Sequence, residues 1–490
     1  MAKLKVTDFV LYRWRYTLGS LAIGVVLFAV LFIAGLSVPG GTSEVEMDST
    51  VQSANLSVSA LDGKNPDSLV HLPYHALQRA SIELFGIHPL AIKLPSLALA
   101  FASALFIFGV LNLWFRRNVA VIATIIVATS GAFLLQAQLG TPDIMYLFWT
   151  SLLLFSSSMI AQARRFKPIW TVFTAIAAGM SLYSPFALYA LVALGVTTLV
   201  HPHARFVVLR QPKKVLAAGA AVFLVVIAPL IIGAFYNPSL LLSLAGIPNA
   251  VPTLDSIWAS LLPYVSYSMP SIGLLMTPIY SLVVSMIVVI GLFRLFTAKY
   301  TAKSYILTVW TFFTVLIVAL ADAPTAVTFV PIMLLVAFGI DYLIRSWYKL
   351  FPHNPYARVA GLIPLGALLF GITTTGIDTY VSSYRYSPEA SAVYTKDLRI
   401  LRDTVEQHTD TPILLLVDEK DAPFYSQYAS YTSDSISVTS DVAQASGASA
   451  TATIISTASL RSTVTVPTEI VVSDTSKQAN RFYLYKNGFN

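Results

Sequence analysis

Apolar runs long enough to cross a bilayer recur throughout the first 376 residues, at 17–37, 90–113, 119–139, 144–161, 168–182, 185–200, 215–235, 271–293, 305–320, 324–343 and 359–376. Hydrocarbon offers no partner for an open backbone N–H or C=O, so a crossing segment must be helical, and about 20 residues span the roughly 30 Å core. Eleven such runs predict a polytopic α-helical membrane protein with about 11 transmembrane helices. Only 11% of the 490 residues are charged and 56% are apolar, against about 25% charged in a soluble chain. An ordinary soluble enzyme is thereby excluded, and the lack of cysteine excludes a disulfide framework. The runs at 168–182 and 185–200 are short and meet through Leu182-Tyr183-Ser184-Pro185, so a kinked re-entrant pair competes there with two crossings.

The net charge of +7 has a topological explanation. If the runs alternate, the N-terminus, 114–118, 162–167, 201–214, 294–304 and 344–358 share one side, with nineteen Lys and Arg against Asp8 and Asp341 alone. The other side, up to 376, holds Lys64, Arg79 and Lys93 against Glu44, Glu46, Asp48, Asp62, Asp67, Glu83, Asp143, Asp255 and Asp322. Basic loops stay cytoplasmic, so the N-terminus is expected inside and, after an odd number of crossings, the C-terminus outside. Lys3, Lys5, Arg13 and Arg15 resemble a signal-peptide n-region, but Ser37-Val38-Pro39-Gly40-Gly41 is no clear cleavage site, and the first run is read as a retained helix. Nucleic-acid binding loses its motivation.

These features divide the chain into a membrane domain, 1–376, and a soluble α/β domain, 377–490, on the outer face. Two outside loops, 38–89 and 236–270, exceed what linkage needs. Within the first, 73–86 reads as an amphipathic interfacial helix ended by Gly86, with Leu77, Ala80, Ser81 and Leu84 on one face and Gln78, Arg79 and Glu83 away from it. The second is punctuated by Pro238, Pro248, Pro252, Pro263 and Pro270 and carries Tyr236, Tyr264 and Tyr267. Its runs are too short to span, and predict interfacial helices or a lid. In the tail, 388–408 reads as helix, 412–417, 435–439, 451–456, 468–472 and 481–485 as strands, and the Ser/Thr/Ala-rich 440–465 largely as loop.

Acids in loops stay hydrated at little cost, so Asp62, Asp67, Glu83 and Asp255 are read as surface decoration, and Asp322 as a helix cap. Glu44, Glu46 and Asp48 stand closer to the bilayer, just after the first run and the turn at Pro39-Gly40-Gly41. Partial burial beside a cation would let one of them act as a base or hold a metal, and solvation alone is the competing reading. Asp143 follows Pro142 at the start of the fourth run, where it either caps the helix or faces the same outer cavity. His71, Tyr74 and His75 form a second polar cluster suited to phosphate or carboxylate, or to headgroups. With the acids they suggest a metal site, such as one for a divalent cation, only at irregular spacing. Arg79 and Lys93 are rare outside cations; Arg79 suits bidentate phosphate contact, and Lys93 either does the same or snorkels.

The order of these motifs resembles that of integral-membrane glycosyltransferases of the GT-C class. It runs from the acidic first loop through His71-Leu72-Pro73-Tyr74, Glu83-Leu84-Phe85-Gly86 and Lys93-Leu94-Pro95-Ser96 to Leu135-Gln136-Ala137-Gln138-Leu139-Gly140-Thr141-Pro142-Asp143. The nearest group is the dolichyl-phosphate-mannose protein mannosyltransferase and aminoarabinose transferase superfamily, matched by motif over about residues 15–160 and by architecture elsewhere. That resemblance implies transfer of a sugar from a polyprenyl-phosphate carrier to an acceptor hydroxyl at the outer face of the plasma membrane, by a single inverting displacement. The family's Asp-Glu pair falls on Ser43-Glu44, so Glu44, or a displaced Asp48, takes the catalytic carboxylate's part, and Asp143 falls on the second acid. The family's Pro-Pro-Leu-Tyr stretch falls on Leu72-Pro73-Tyr74-His75, and its Arg-Leu-Pro-Ser motif on Lys93-Leu94-Pro95-Ser96. His71, Tyr74, His75, Arg79 and Lys93 are the implied sugar or phosphate contacts, a divalent cation is a further way to offset the phosphate, and the lipid tail is implied near 236–270. A lipid or glycan transporter and a non-catalytic scaffold presenting the tail are the competing classes. The first lacks its expected mid-membrane charges and internal repeats. The second leaves the long acidic loop unexplained.

Overall fold

The computed structural model describes residues 19, 21–22, 24–33, 41–57, 68–162, 166–248, 250–266, 279–297, 301–321, 323–351, 353, 355–386, 393–395, 397–408, 411–432, 435–446, 452–462, 465–472 and 480–486. Their architecture is a bundle of apolar helices carrying a C-terminal α/β domain, as expected of a multi-pass membrane protein. In chain order the helices of the bundle and its loops are α1 (Gly24–Ile33), α2 (Glu44–Ala54), α3 (Leu72–Phe85), α4 (Pro89–Trp114), α5 (Arg117–Ala128), α6 (Gly131–Gln138), α7 (Ile144–Gln162), α8 (Lys167–Ser181) and α9 (Ala187–Val200). There follow α10 (Pro202–Leu209), α11 (Lys213–Tyr236), α12 (Ser239–Ala245), α13 (Leu254–Val265), α14 (Leu282–Thr297), α15 (Ala302–Leu320), α16 (Ala326–Leu350), α17 (Pro355–Ala360) and α18 (Leu362–Tyr386).

The expected count of eleven crossings is corrected downward. Among the described residues, five helices are long and apolar enough to cross a bilayer alone: α4, α7, α11, α15 and α16. The number rises to seven if each of two bent pairs is one span. Hydropathy sums apolar residues without sensing where the backbone turns, and this is where the two counts part. The run at 119–139 is broken by a 63° bend between α5 and α6, where Thr129 and Ser130 turn their hydroxyls back onto the carbonyls of the preceding turn. The runs at 168–182 and 185–200 become α8 and α9, of 15 and 14 residues, each about 21–23 Å long at 1.5 Å per residue. The first and eighth runs are described only over α1 and the 16-residue α14.

The loop after the first apolar run supplies two helices. Ser43 caps α2 in a capping box with Glu46, and α3 ends at Gly86, whose φ of +77° is open to glycine. Leu77 and Leu84 of α3 face outward, while Tyr74, His75, Gln78, Ser81 and Ile82 face the protein. The second loop folds into the short α12 and α13, with Gly246 closing α12 in the left-handed region; Tyr267 and Pro270 lie outside the described residues.

The tail contains α19 (Asp397–Gln407), β1 (Ile413–Leu416), α20 (Ala422–Thr432), β2 (Ile436–Thr439), α21 (Val442–Ser446), β3 (Thr453–Thr457), β4 (Glu469–Val472) and β5 (Asn480–Tyr485). Strand order is β2-β1-β3-β5-β4, with β2, β1 and β3 parallel and the pairs β3–β5 and β5–β4 antiparallel. The stretch 440–465 is more structured than expected, holding α21, β3 and a short 3-10 turn, Ala458–Leu460. This domain does not hang free. Met47, Ile82, Ile87 and Ile92 of the membrane part share one core with Leu398, Leu401, Phe424, Tyr425 and Tyr428 of the tail. Thr42 and Thr395 also exchange backbone hydrogen bonds of 2.9 and 3.0 Å. Gly41 permits that approach, because a Cβ there would lie 2.2 Å from the Thr395 carbonyl oxygen.

Candidate active site

The elements that gather polar side chains are α2, α3, the start of α4 and the 139–143 turn before α7. Glu44 and Asp48 are one helical turn apart on the exposed face of α2. Glu44 pairs with Lys420 of the tail at 2.6 Å. Glu46, two residues on, points the other way and is fully buried. Its Oε2 accepts from the Ser43 backbone N–H at 2.7 Å and from the Ser43 hydroxyl at 3.1 Å. Its Oε1 accepts from the backbone N–H of Gly140 at 2.7 Å and faces Lys93 Nζ at 3.6 Å. Lys93, equally buried, donates to the Gly41 carbonyl at 2.6 Å and lies 5.9 Å from the centre of the Tyr394 ring.

Gln78 completes this frame. It is fully buried, donates to the carbonyls of Ile92 and Gly140 at 3.1 and 3.0 Å, and accepts from Ser49 and Ser53 at 2.9 and 2.6 Å. Gly140 is thus held at its N–H by Glu46 and at its carbonyl by Gln78. A Cβ on Gly140 would meet Ile92 Cγ2 at 2.6 Å, so the turn presses directly on α4.

That turn presents Asp143. Its carboxylate is half-buried, and among the described residues no side chain or backbone N–H bonds to it. Desolvation pushes its pKa up to about 6. Tyr74 is fully buried, with its hydroxyl 2.8 Å from Ser96 Oγ. Burial raises its pKa, the Ser96 hydrogen bond opposes that, and the charges of Glu46 and Asp143 add to the rise, so both carboxylates lie within electrostatic reach of one phenol.

His75 Nδ1 is 2.9 Å from Ser53 Oγ, and burial depresses its pKa to about 4. His71 begins α3 in the left-handed conformation, φ +57°, with its N–H on the Tyr183 carbonyl at 2.8 Å. Its Nδ1 is buried without a hydrogen-bond partner among the described residues. Burial, helped by His75, lowers its pKa to about 3. Both imidazoles are neutral at physiological pH and serve as hydrogen-bonding groups.

The structure therefore holds Tyr74, His75 and Lys93 by hydrogen bonds or an ion pair within this frame, with Asp143 unbonded but within electrostatic reach of Tyr74, and His71 beside them. It does not bring in Glu44 or Asp48, which lie on the exposed face of α2, or Arg79, which is half-buried and paired with Glu83 at 2.6 Å. Asp62, Asp67 and Asp322 lie outside the described residues. Gln78 is the member that sequence reasoning does not place here, and Glu46 enters it only as one of three acids of which Glu44 is preferred. Ser43-x-x-Glu46 carries a readable signal, but as a helix cap. Among the described residues no three His, Asp or Glu side chains are grouped to hold a metal.

Residues 72–232 match the sequence model of the dolichyl-phosphate-mannose-protein mannosyltransferase family. No curated protein sequence matches the chain significantly. Among solved structures, apo ArnT from Cupriavidus metallidurans superposes with a TM-score of 0.55 at 13% identity, covering 96% of this chain and 98% of that one. The same protein bound to undecaprenyl phosphate gives 0.50 at 12% identity, with the same coverage. The Archaeoglobus fulgidus oligosaccharyltransferase tethered to an acceptor peptide gives 0.52 at 11% identity, over 89% of this chain and 66% of that one. The chain resembles the GT-C membrane glycosyltransferases and shares their fold.

Proposed function

We propose that this protein is a glycosyltransferase that moves a sugar from a polyprenyl-phosphate carrier to an acceptor hydroxyl at the outer face of the plasma membrane. The observation that carries this reading is Asp143. Within a fold shared with a transferase solved with undecaprenyl phosphate, it is an unpaired carboxylate with a pKa of about 6, on a turn that Glu46 and Gln78 clamp. A base poised near the working pH accepts a proton efficiently while remaining largely ionised.

In the proposed reaction Asp143 takes the acceptor's hydroxyl proton as that oxygen attacks the anomeric carbon. The bond from that carbon to the phosphate oxygen breaks, and polyprenyl phosphate leaves with the electron pair. One displacement inverts the anomeric configuration. Glu46 is unsuited to be the base, because Ser43, Gly140 and Lys93 already engage both its oxygens. Glu44 and Asp48, on the exposed face, are assigned no proton transfer. His71 offers its buried Nδ1 to the donor phosphate or sugar, and no step is routed through a metal.

An apolar cavity of about 490 Å³ supports a place for the carrier's tail. Leu182, Ser184, Leu188, Leu230, Phe235 and Leu244 line it, close to the turn at Tyr183 on which His71 is anchored. The charge asymmetry of the loops supports a cytoplasmic N-terminus and an outer C-terminal domain.

The test is transfer from labelled polyprenyl-phosphate sugars by the purified protein, Asp143→Asn and Glu44→Gln. Loss with Asp143→Asn alone supports the assignment. Equal transfer by all three removes Asp143 from the chemistry, and binding of donor without turnover by the native chain favours the scaffold reading.

A further inference from the structure

The outer-face chemistry makes no use of α10. Helix α9 starts at the turn next to His71 and extends for 14 residues, about 21 Å, before α10 departs from it at 94°. His201 caps α10, its Nδ1 accepting from Ala204 N–H at 3.3 Å, and its ring meets Tyr305 edge-on at 5.4 Å. His201, Ala204, Val207 and Gln211 form the inner stripe, buried or half-buried. The opposite face leaves Phe206 55% and Leu209 73% exposed. Arg205 and Arg210 flank these two, and Lys213 and Lys214 follow at the start of α11, all four exposed. The Arg210 guanidinium lies over the Phe206 ring at 5.2 Å.

No Asp or Glu occurs anywhere between Asp143 and Asp255. Among the described residues none of the four cations enters an ion pair with an acid. Four uncompensated positive charges around an exposed aromatic and an exposed leucine, on a helix set across its apolar neighbour, have the chemistry of a headgroup-level element.

We propose that α10 and the first turn of α11 form a binding surface for anionic phospholipid headgroups, on the membrane face opposite the candidate active site. Arg205, Arg210, Lys213 and Lys214 meet headgroup phosphates, while Phe206 and Leu209 enter the acyl boundary. The surface is independent of the transferase reading.

The test uses the full-length protein in bilayers of phosphatidylcholine and phosphatidylglycerol, measuring the relative association of spin-labelled forms of each lipid. The native protein is expected to prefer phosphatidylglycerol. Arg205→Gln/Arg210→Gln/Lys213→Gln/Lys214→Gln is expected to lower that preference several-fold, to about that for the zwitterionic lipid, because the attraction of anionic headgroups rests on these cations. Arg205→Lys/Arg210→Lys is expected to keep it. Should the quadruple variant fail to fold, raised salt applied to the native protein must erode the preference in the same direction. No lipid preference in the native protein, or one insensitive to both charge removal and salt, overturns the proposal. Loss on Phe206→Ser/Leu209→Ser with no loss on charge removal also overturns it, leaving an apolar anchor only.

Discussion

Glu46 accepts a hydrogen bond at 2.7 Å from the backbone N–H of Gly140, 94 positions away in the chain. The contact joins α2 to the turn that carries Asp143, while the other face of α2 meets the tail through Glu44 and Lys420. An acid that the sequence offers only as one of three candidate carboxylates is thus a keystone, held by Ser43, Gly140 and Lys93.

Replacing Asp143 separates chemistry from folding. Asp143→Asn is expected to lower transfer by at least about 10²-fold, the usual contribution of a positioned base. Its pKa of about 6 lies above the ordinary 3.8, so between those values the folded state holds more protons than the unfolded one. Stability contributed at this site therefore falls as pH rises through that window, and Asp143→Asn is expected to leave thermal stability at pH 7 unchanged or raised. The native pH–rate profile should rise through about pH 6, and Glu44→Gln should not move that limb. A flat profile across this range counts against Asp143 as the base.

Breaking the buried ion pair by halves should be worse than removing it whole. Lys93→Met or Glu46→Gln each leaves a partner buried and uncompensated, at a cost of about 3–5 kcal/mol. The double variant is expected to recover much of that loss. Thermal unfolding of all four proteins in the same detergent measures the cycle, and strictly additive losses would show that the two side chains do not depend on each other.

Gln78→Leu leaves the Gly140 and Ile92 carbonyls and the hydroxyls of Ser49 and Ser53 without this partner. A buried group so stranded costs about 1–3 kcal/mol. Because Gln78 touches no reacting atom, kcat is expected to fall more than KM rises, and the acidic limb of the pH profile to shift with the loosened turn. An unchanged limb with normal kcat would make Gln78 a purely structural residue.

The shared core predicts one unfolding event for membrane part and tail. Phe424→Ala, in the tail, removes a buried ring packed in the core that includes Met47 and Ile82, at a cost of about 3–5 kcal/mol. Calorimetry is expected to show a single transition moved to lower temperature. Two separate transitions would show that the tail folds independently. Glu44→Ala, which loses only an exposed pair, is expected to leave the transition where it was.

Much of this fold is legible in the sequence, because bilayer and sheet impose strong periodicities. Long apolar runs mark helices, and all five strands of the tail lie within a residue or two of the positions that alternation and β-branching suggest. Bends are not legible. Thr129-Ser130 redirects the chain by 63° without making it less apolar, whereas the 94° turn at His201-Pro202 falls where the apolar run already ends. For the candidate site, residue type identifies Asp143, Lys93 and Tyr74, but it does not rank Glu46 above Glu44 and Asp48. The three share charge and neighbourhood, and only the direction in which α2 rolls against α3 and α4 decides which is buried. Gln78 reads with Arg79 and Glu83 because its amide is polar; its burial depends on four partners drawn from three other segments.

Met47, Ile82, Ile87 and Ile92 emerge early during synthesis, yet the residues that pack over them come from α19 and α20, near the other end of the chain. All the helices from α4 to α18 must therefore be synthesised before this sticky patch is shielded. Variants that slow delivery of the tail should fail first in biogenesis, as targets of quality-control proteases, even where the finished protein would tolerate them.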